Sequence, residues 1–227
     1  MHERIIRLYE ENAAAWDRQR GRELFEKPWM DRFLGLLPER GSILDIGCGM
    51  GEPIARYFVE SGFAVTGVDS SPSLIDLCRV RFPEHRWLVG DMRELALQRR
   101  FDGIIAWHSF FHLSPSDQRP MFARFAAHAA PGGVLMITTG PREKEEIGEW
   151  RGEPLYHGSL APEEYRTRIE ENGFTILAHI VQDPECGHAT IWIARYGGGV
   201  EPKASCTKPF SFRHAGLDPA STCSSIP

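Results

Sequence analysis

LDIGCGMGEP, Leu44 to Pro53, decides how this chain is read. Three glycines at alternate positions, Gly47, Gly49 and Gly51, follow a short apolar run and precede Pro53, which suits the first turn of a helix. A strand, a glycine turn and a helix N-terminus together make a binding place for a nucleotide-like ligand. A dinucleotide binder wants GxGxxG, with its third glycine at position 52. Glu52 stands there, and its carboxylate would repel a pyrophosphate. The turn suits a ligand without phosphates whose polar chain lies over it. Asp69 ends the next apolar run, where a carboxylate can accept hydrogen bonds from both hydroxyls of a ribose. Ribose without pyrophosphate points to an adenosyl compound.

Outward from the turn, short apolar runs alternate with helical patterns. The runs are 42–47, 64–69, 86–91, 101–107 and 133–139, and between them lie 53–61, 71–82 and 114–130. This alternation predicts an α/β fold, a parallel sheet covered by helices on both faces. Ser71 and Ser114, each before a proline, are expected N-caps. Residues 161–173 read as a helix closed by Gly173, followed by strands at 174–183 and 189–196. Only PECGH separates these two, too short for a parallel crossover, so they are expected to be antiparallel. Upstream, Ile5, Leu8, Tyr9, Asn12 and Trp16 recur at helical spacing. Pro28 breaks the pattern, and Trp29, Phe33, Leu36 and Leu37 begin a second apolar face. The stretch 197–227, rich in Gly, Pro and Ser and without periodicity, reads as a disordered tail.

The 227 residues suit one large domain or two small ones. A net charge of −5 with no polybasic tract argues against nucleic-acid binding by charge alone. No apolar stretch has the length of a signal peptide or a membrane span. The cysteines, 48, 78, 186, 206 and 223, are odd in number, widely spaced and without a CxxC pair. They read as reduced thiols of a cytoplasmic protein with no metal site.

LDIGCGMG, GVDSS (67–71), GDM (90–92), FDGIIAWHSFFHL (101–113) and PGGVLMITT (131–139) occur in the order and spacing of the class I S-adenosylmethionine-dependent methyltransferases, which the chain resembles over about 44–196. The resemblance implies a Rossmann-like doubly wound sheet of seven strands, in the order 3-2-1-4-5-7-6 with strand 7 antiparallel. Residues 1–41 would form a helical cap and 42–196 the core. It further implies S-adenosylmethionine as cofactor. Asp45 and the backbone of Gly47, Cys48, Gly49 and Gly51 would hold its methionine end, and Asp69, with Ser70 beside it, the ribose. Asp91 would accept from the adenine amino group, Met92 would pack on the ring, and Trp107 would floor the pocket. Tyr9, Trp16 and Arg20 are candidates for an N-terminal lid.

A sulfonium methyl is an activated electrophile, so orientation and desolvation can carry much of the catalysis. A base is needed only when the acceptor must lose a proton, and His108 and His112, after the fourth strand, are the candidates. His112 has the alternative of bracing its loop. The connection 141–160 exceeds the usual length of a strand–helix link and reads as a long functional loop. Tyr156 and His157 within it, with Tyr9, Trp16 and His108, are the candidate acceptor contacts. The motifs of amino-methylating DNA enzymes, cytosine C5 enzymes and protein arginine enzymes are missing after the fourth strand, and no carboxylate set for a catalytic magnesium is evident. The expected reaction is methyl transfer to an O or N atom of a small metabolite. The alternatives are a non-catalytic cofactor-binding module and an RNA or protein methyltransferase.

Overall fold

The computed structural model describes residues 2–198. Of the tail expected over 197–227, residues 199–227 lie outside them. Three short helices open the chain: α1 (His2–Glu11), α2 (Ala13–Gln19) and α3 (Lys27–Leu34). Pro28 sits in the first turn of α3, where its missing N–H costs nothing, so it starts a helix as well as ending the earlier pattern.

The core then alternates β1 (Ser42–Ile46), α4 (Ile54–Glu60), β2 (Ala64–Asp69), α5 (Pro72–Arg81), β3 (Arg86–Val89), β4 (Phe101–Ala106), α6 (Pro115–His128) and β5 (Ala129–Thr139). A hairpin of β6 (Lys144–Trp150) and β7 (Glu153–Ser159) follows, then α7 (Pro162–Glu171), β8 (Phe174–Asp183) and β9 (Ala189–Tyr196). Seven strands form one sheet in the order β3-β2-β1-β4-β5-β9-β8. β1 to β5 pair in parallel, and β9 is antiparallel to both of its neighbours. The expected order and the antiparallel final strand are both present. The expected N-caps form as well: Ser71 Oγ accepts from Leu74 N and Ser114 Oγ from Asp117 N.

Side-chain alternation along the buried strands divides the core between the two faces of the sheet. Leu44, Ile104, Leu135 and Trp192 face the layer of α6 and α7, with Phe110, Phe122, Phe125 and Tyr165. Ile43, Ile105, Met136 and Ile193 face α3, α4 and α5, with Phe33, Phe58 and Ile75.

The segment 141–160 is not an irregular loop. Its two strands pair from Lys144↔Ser159 to Trp150↔Glu153 around Arg151 and Gly152, both at positive φ, the geometry of a two-residue hairpin turn. Nearly all of β6 is exposed, so it lacks the apolar alternation that marks a strand in sequence. The hairpin is held from below. Fully buried Gln118 donates through Nε2 to Gly158 O at 2.8 Å and Leu113 O at 2.9 Å, and accepts from Tyr165 Oη at 2.6 Å. Gly140 N donates to Ser159 Oγ at 2.7 Å.

Candidate active site

Parallel strands end together, so the residues after β1, β2, β3 and β4 converge at one edge of the sheet. There a cavity of about 320 Å³ is walled by Asp45, the 47–52 turn, Asp69, Ser70, Gly90 to Met92 and Trp107 to His108, and roofed by Tyr9, Trp16, Arg20 and Trp150. Gly47, Gly49 and Gly51 have φ of +75°, +54° and +80°. The glycines are therefore demanded by the backbone path itself. At Gly47 there is also no room: a Cβ would lie 2.3 Å from that of Ser109, whose Oγ donates to Ile46 O at 2.6 Å.

Asp69 organises the floor. Oδ2 accepts from Gly49 N and Oδ1 from Ser71 N, each at 2.9 Å, and the Ser70 N–H also acts on this carboxylate, which retains acceptor capacity for a ligand hydroxyl. Burial, only partly offset by these bonds, raises its pKa. Asp45 is buried in the same wall, and burial followed by the charge of Asp69 pushes its carboxyl up to about 7. Asp91 also borders the cavity, but its carboxylate grips Arg93, with Nη2 to Oδ2 at 2.7 Å and Nε to Oδ2 at 3.0 Å. The expected acceptance from an adenine amino group would have to share that carboxylate with Arg93. Glu52, the residue that argues against a pyrophosphate, meets Arg56 Nη2 at 2.7 Å and lies 3.6 Å from Nε of both Arg22 and Arg81.

The same ion pairs fasten the roof. Arg81 Nη2 donates to both oxygens of Asp17, at 2.7 and 2.8 Å, tying α2 to α5. Burial opposes ionisation of Asp17, but the hydrogen bonds from Arg22 and Arg81 outweigh it and hold the carboxyl below its ordinary pKa. Glu10 of α1 accepts from the Ser71 hydroxyl and from Ser73 N and Oγ at the start of α5. On the other side Tyr9 stacks on Trp150 of β6 with centroids 5.9 Å apart, and Trp16 meets both rings edge-on at 5.4 and 5.5 Å. Tyr9, Trp16 and Arg20 all line the cavity, on the side of α1 and α2. Trp150 was not anticipated; only the Arg151–Gly152 turn beside it hinted at a hairpin that could carry it there.

The candidate bases differ in their surroundings. His112 is buried, with Nδ1 2.9 Å from Tyr156 O. A carbonyl can only accept, so Nδ1 carries the proton and Nε2 accepts from Tyr9 Oη at 3.1 Å. Both ring nitrogens are engaged, one with the hairpin and one with Tyr9 of α1, the contacts that a brace would make. His108, at φ +51°, is held through its backbone N–H to Thr138 Oγ1 at 2.8 Å. Its ring contacts Trp107 and Phe111, and its exposed surface faces the cavity. Accessible surface there is still largely enclosed by protein, so burial, with Arg20 nearby, pulls its pKa down to about 4. His157 also faces the cavity, its ring 5.2 Å from Phe111 and 5.0 Å from His112. The Tyr156 side chain does not line the cavity; its hydroxyl donates to Glu145 Oε2 at 2.6 Å. A second cavity, of about 460 Å³, runs from the shared wall of Phe111 and His157 past Thr139, Arg142 and Lys144 to Gln182. Among the described residues no cluster of His, Cys, Asp or Glu is arranged to hold a metal ion.

Residues 16–179 match the family described as "Methyltransferase domain". The chain belongs to that methyltransferase family. Over 102 residues it is 33% identical to a dTDP-3-amino-3,6-dideoxy-alpha-D-glucopyranose N,N-dimethyltransferase of Streptomyces fradiae, covering 44% of this chain and 40% of that one. The chain spans about two fifths of the length of three curated relatives that it matches, 40% to 43%. Among solved structures it is similar to a SAM-bound amino pentose methyltransferase from Micromonospora echinaspora, with a TM-score of 0.63 at 20% identity over 82% of this chain and 95% of that one. It is also similar to the Burkholderia thailandensis 1,6-didemethyltoxoflavin-N1-methyltransferase with S-adenosylhomocysteine bound. There the TM-score is 0.64 at 22% identity, over 86% of each chain. At these identities the two structures support the fold of the methyltransferase and nothing finer. The family match and the fold both agree with the resemblance drawn from the glycine turn and the later motifs.

Proposed function

We propose that this methyltransferase transfers the methyl group of S-adenosylmethionine to an N or O atom of a small metabolite. The observation that carries the reading is the roofed cavity at the carboxyl ends of β1, β2 and β4, where Asp69, braced by the glycine turn, retains acceptor capacity for a ribose. The donor set fits the cofactor. Asp45 and Asp69 face a ligand that is cationic at sulfur and nitrogen, Met92 stands on the wall where an adenine would lie, and aromatic rings enclose the rest. When bound, the cofactor supplies an electrophilic methyl group.

The chain's own residues do the remainder. The lid of Tyr9, Trp16 and Trp150 excludes water, and the wall shared with the second cavity places the acceptor beside Phe111 and His157. His108, neutral near pH 7, takes the proton where the acceptor must shed one. The amino-sugar substrates named for the curated relatives agree with a small acceptor. Titration calorimetry with S-adenosylmethionine tests the reading, followed by assay of S-adenosylhomocysteine release over a panel of amine and hydroxyl metabolites. Wild type should bind in the micromolar range, and Asp69→Ala should weaken binding at least about 100-fold, the loss of two charge-assisted hydrogen bonds. Unchanged affinity in Asp69→Ala would refute the ribose assignment. Binding without turnover of any acceptor would favour a non-catalytic cofactor-binding module.

A further inference from the structure

The hairpin turns one face toward both cavities. Side chains alternate along a strand, so Lys144, Glu146 and Trp150 of β6 share a face with Leu155, His157 and Ser159 of β7. Trp150, Leu155 and His157 line the first cavity, and Lys144, Glu146, His157 and Ser159 the second. The charge changes sign along that face. Asp45, Glu52, Asp69 and Asp91 border the first cavity, and Arg20 is the one Lys or Arg among its described lining residues. The second is bordered by Arg142, Lys144 and a single carboxylate, Glu146. At about 460 Å³ it has the size of a small-molecule site.

The hydroxyls of its wall are engaged elsewhere. Thr139 Oγ1 donates to Gly140 O and accepts from Trp192 Nε1, both at 3.1 Å, and Ser159 Oγ accepts from Gly140 N at 2.7 Å. The cations are not used up in this way. Lys144 Nζ donates to Glu146 Oε2, and this bond, with the charge of Arg142 a lesser cause, holds the Glu146 carboxyl below its ordinary pKa. An ammonium has three donors, so two remain on Lys144. Arg142 makes no side-chain hydrogen bond or ion pair among the described residues, and its whole guanidinium fork stays available.

Resting on the methyl-transfer reading above, we infer that the acceptor carries an anionic group, a carboxylate or a phosphate monoester, and that Arg142 and Lys144 bind it in the second cavity. Phe111 and His157, the wall common to both cavities, then receive the body of the acceptor, with its nucleophilic atom toward the first. The acidic first cavity attracts the cationic cofactor and repels the anionic end of the acceptor, which therefore enters in one orientation.

The test uses three probes with one ring and different heads: benzoate, phenyl phosphate and benzyl alcohol. Each is titrated by saturation-transfer NMR into the full chain saturated with S-adenosylhomocysteine. At low salt an anionic probe should bind about 5- to 30-fold more tightly than benzyl alcohol, the worth of two partly exposed charge contacts, and the gap should narrow at high salt. Tighter binding of benzoate assigns a carboxylate, and of phenyl phosphate a phosphate monoester. Arg142→Ala should remove most of the gap. Glu146→Gln should widen it, because it releases Lys144; a merely disturbed hairpin would not bind anions better. Arg20→Ala should leave it unchanged. Weak or equal binding of all three probes overturns the inference, as does a gap that survives Arg142→Ala combined with Lys144→Ala. Loss of the gap in Arg20→Ala would put the anion in the first cavity and overturn it too. Each of these outcomes, with S-adenosylhomocysteine bound, leaves the cofactor reading intact, whereas failure to bind S-adenosylhomocysteine overturns that reading itself.

Discussion

At the scale of single residues, the cavity is bordered by two titratable groups displaced in opposite senses. Asp45 is a carboxyl whose pKa is raised from 3.8 to about 7, by burial and then by Asp69. The folded protein therefore takes up a proton that the unfolded chain has released between about pH 4 and 7, and the stability this confers is lost as pH rises through that window. Asp45→Asn should raise the melting temperature at pH 8 by about 2–6 °C and change it little at pH 4, as followed by thermal denaturation. The same protonation predicts that wild-type affinity for a cationic cofactor falls up to about tenfold per pH unit below 7. His108 goes the other way, from 6.5 down to about 4, so it is a neutral base across the physiological range. His108→Ala should cut turnover by about 10²–10⁴-fold with cofactor affinity unchanged. The acid limb of the wild-type rate profile should lie near pH 4 if His108 governs it. A limb near 6.5, or full activity in the variant, removes it as base.

At the scale of elements, the roof depends on segments that have little stability alone. α2 is a seven-residue helix, too short to persist in water without tertiary contacts. Asp17–Arg81 and Glu10–Ser71/Ser73 hold the lid to α5, and the Tyr9–Trp16–Trp150 cluster holds it to the hairpin. Trp150 belongs to an exposed strand, and its ring contacts are to the lid and to Arg151, so its removal should spare the core. Trp150→Ala is expected to change global stability by less than about 1 kcal/mol while raising the cofactor off-rate several-fold, measured by stopped-flow fluorescence. An unchanged off-rate would show that the hairpin does not gate the cavity.

At the scale of the whole molecule, the ring cluster of Phe110, Phe122, Phe125 and Tyr165 sits directly beneath the segment that carries His108 and His112. Phe110→Ala, at a fully buried position, should cost about 3–5 kcal/mol in denaturant unfolding. It should also disorder the site above, lowering turnover more than surface variants of equal cofactor affinity. The layered fold was legible in the chain because buried parallel strands and amphipathic helices write different periods into it. The glycine turn was legible because glycine adopts positive φ at least cost, and three such positions fall within five residues. Asp69 was legible because its place at a strand end follows from the topology. The hairpin was not, since β6 is charged and solvent-facing and carries no apolar alternation. Nor could sequence spacing divide the histidines. His108 and His112 are four residues apart in chain, and the hydrogen bonds that engage both ring nitrogens of His112, to Tyr9 and Tyr156, come from elements 103 and 44 residues away. Local periodicity thus determined the alternation of strands and helices, the glycine turn marked the cofactor edge, and the family resemblance implied the strand order. Which side chains close the cavity and which stay free within it depended on contacts between distant segments, and those exist only once the chain has folded.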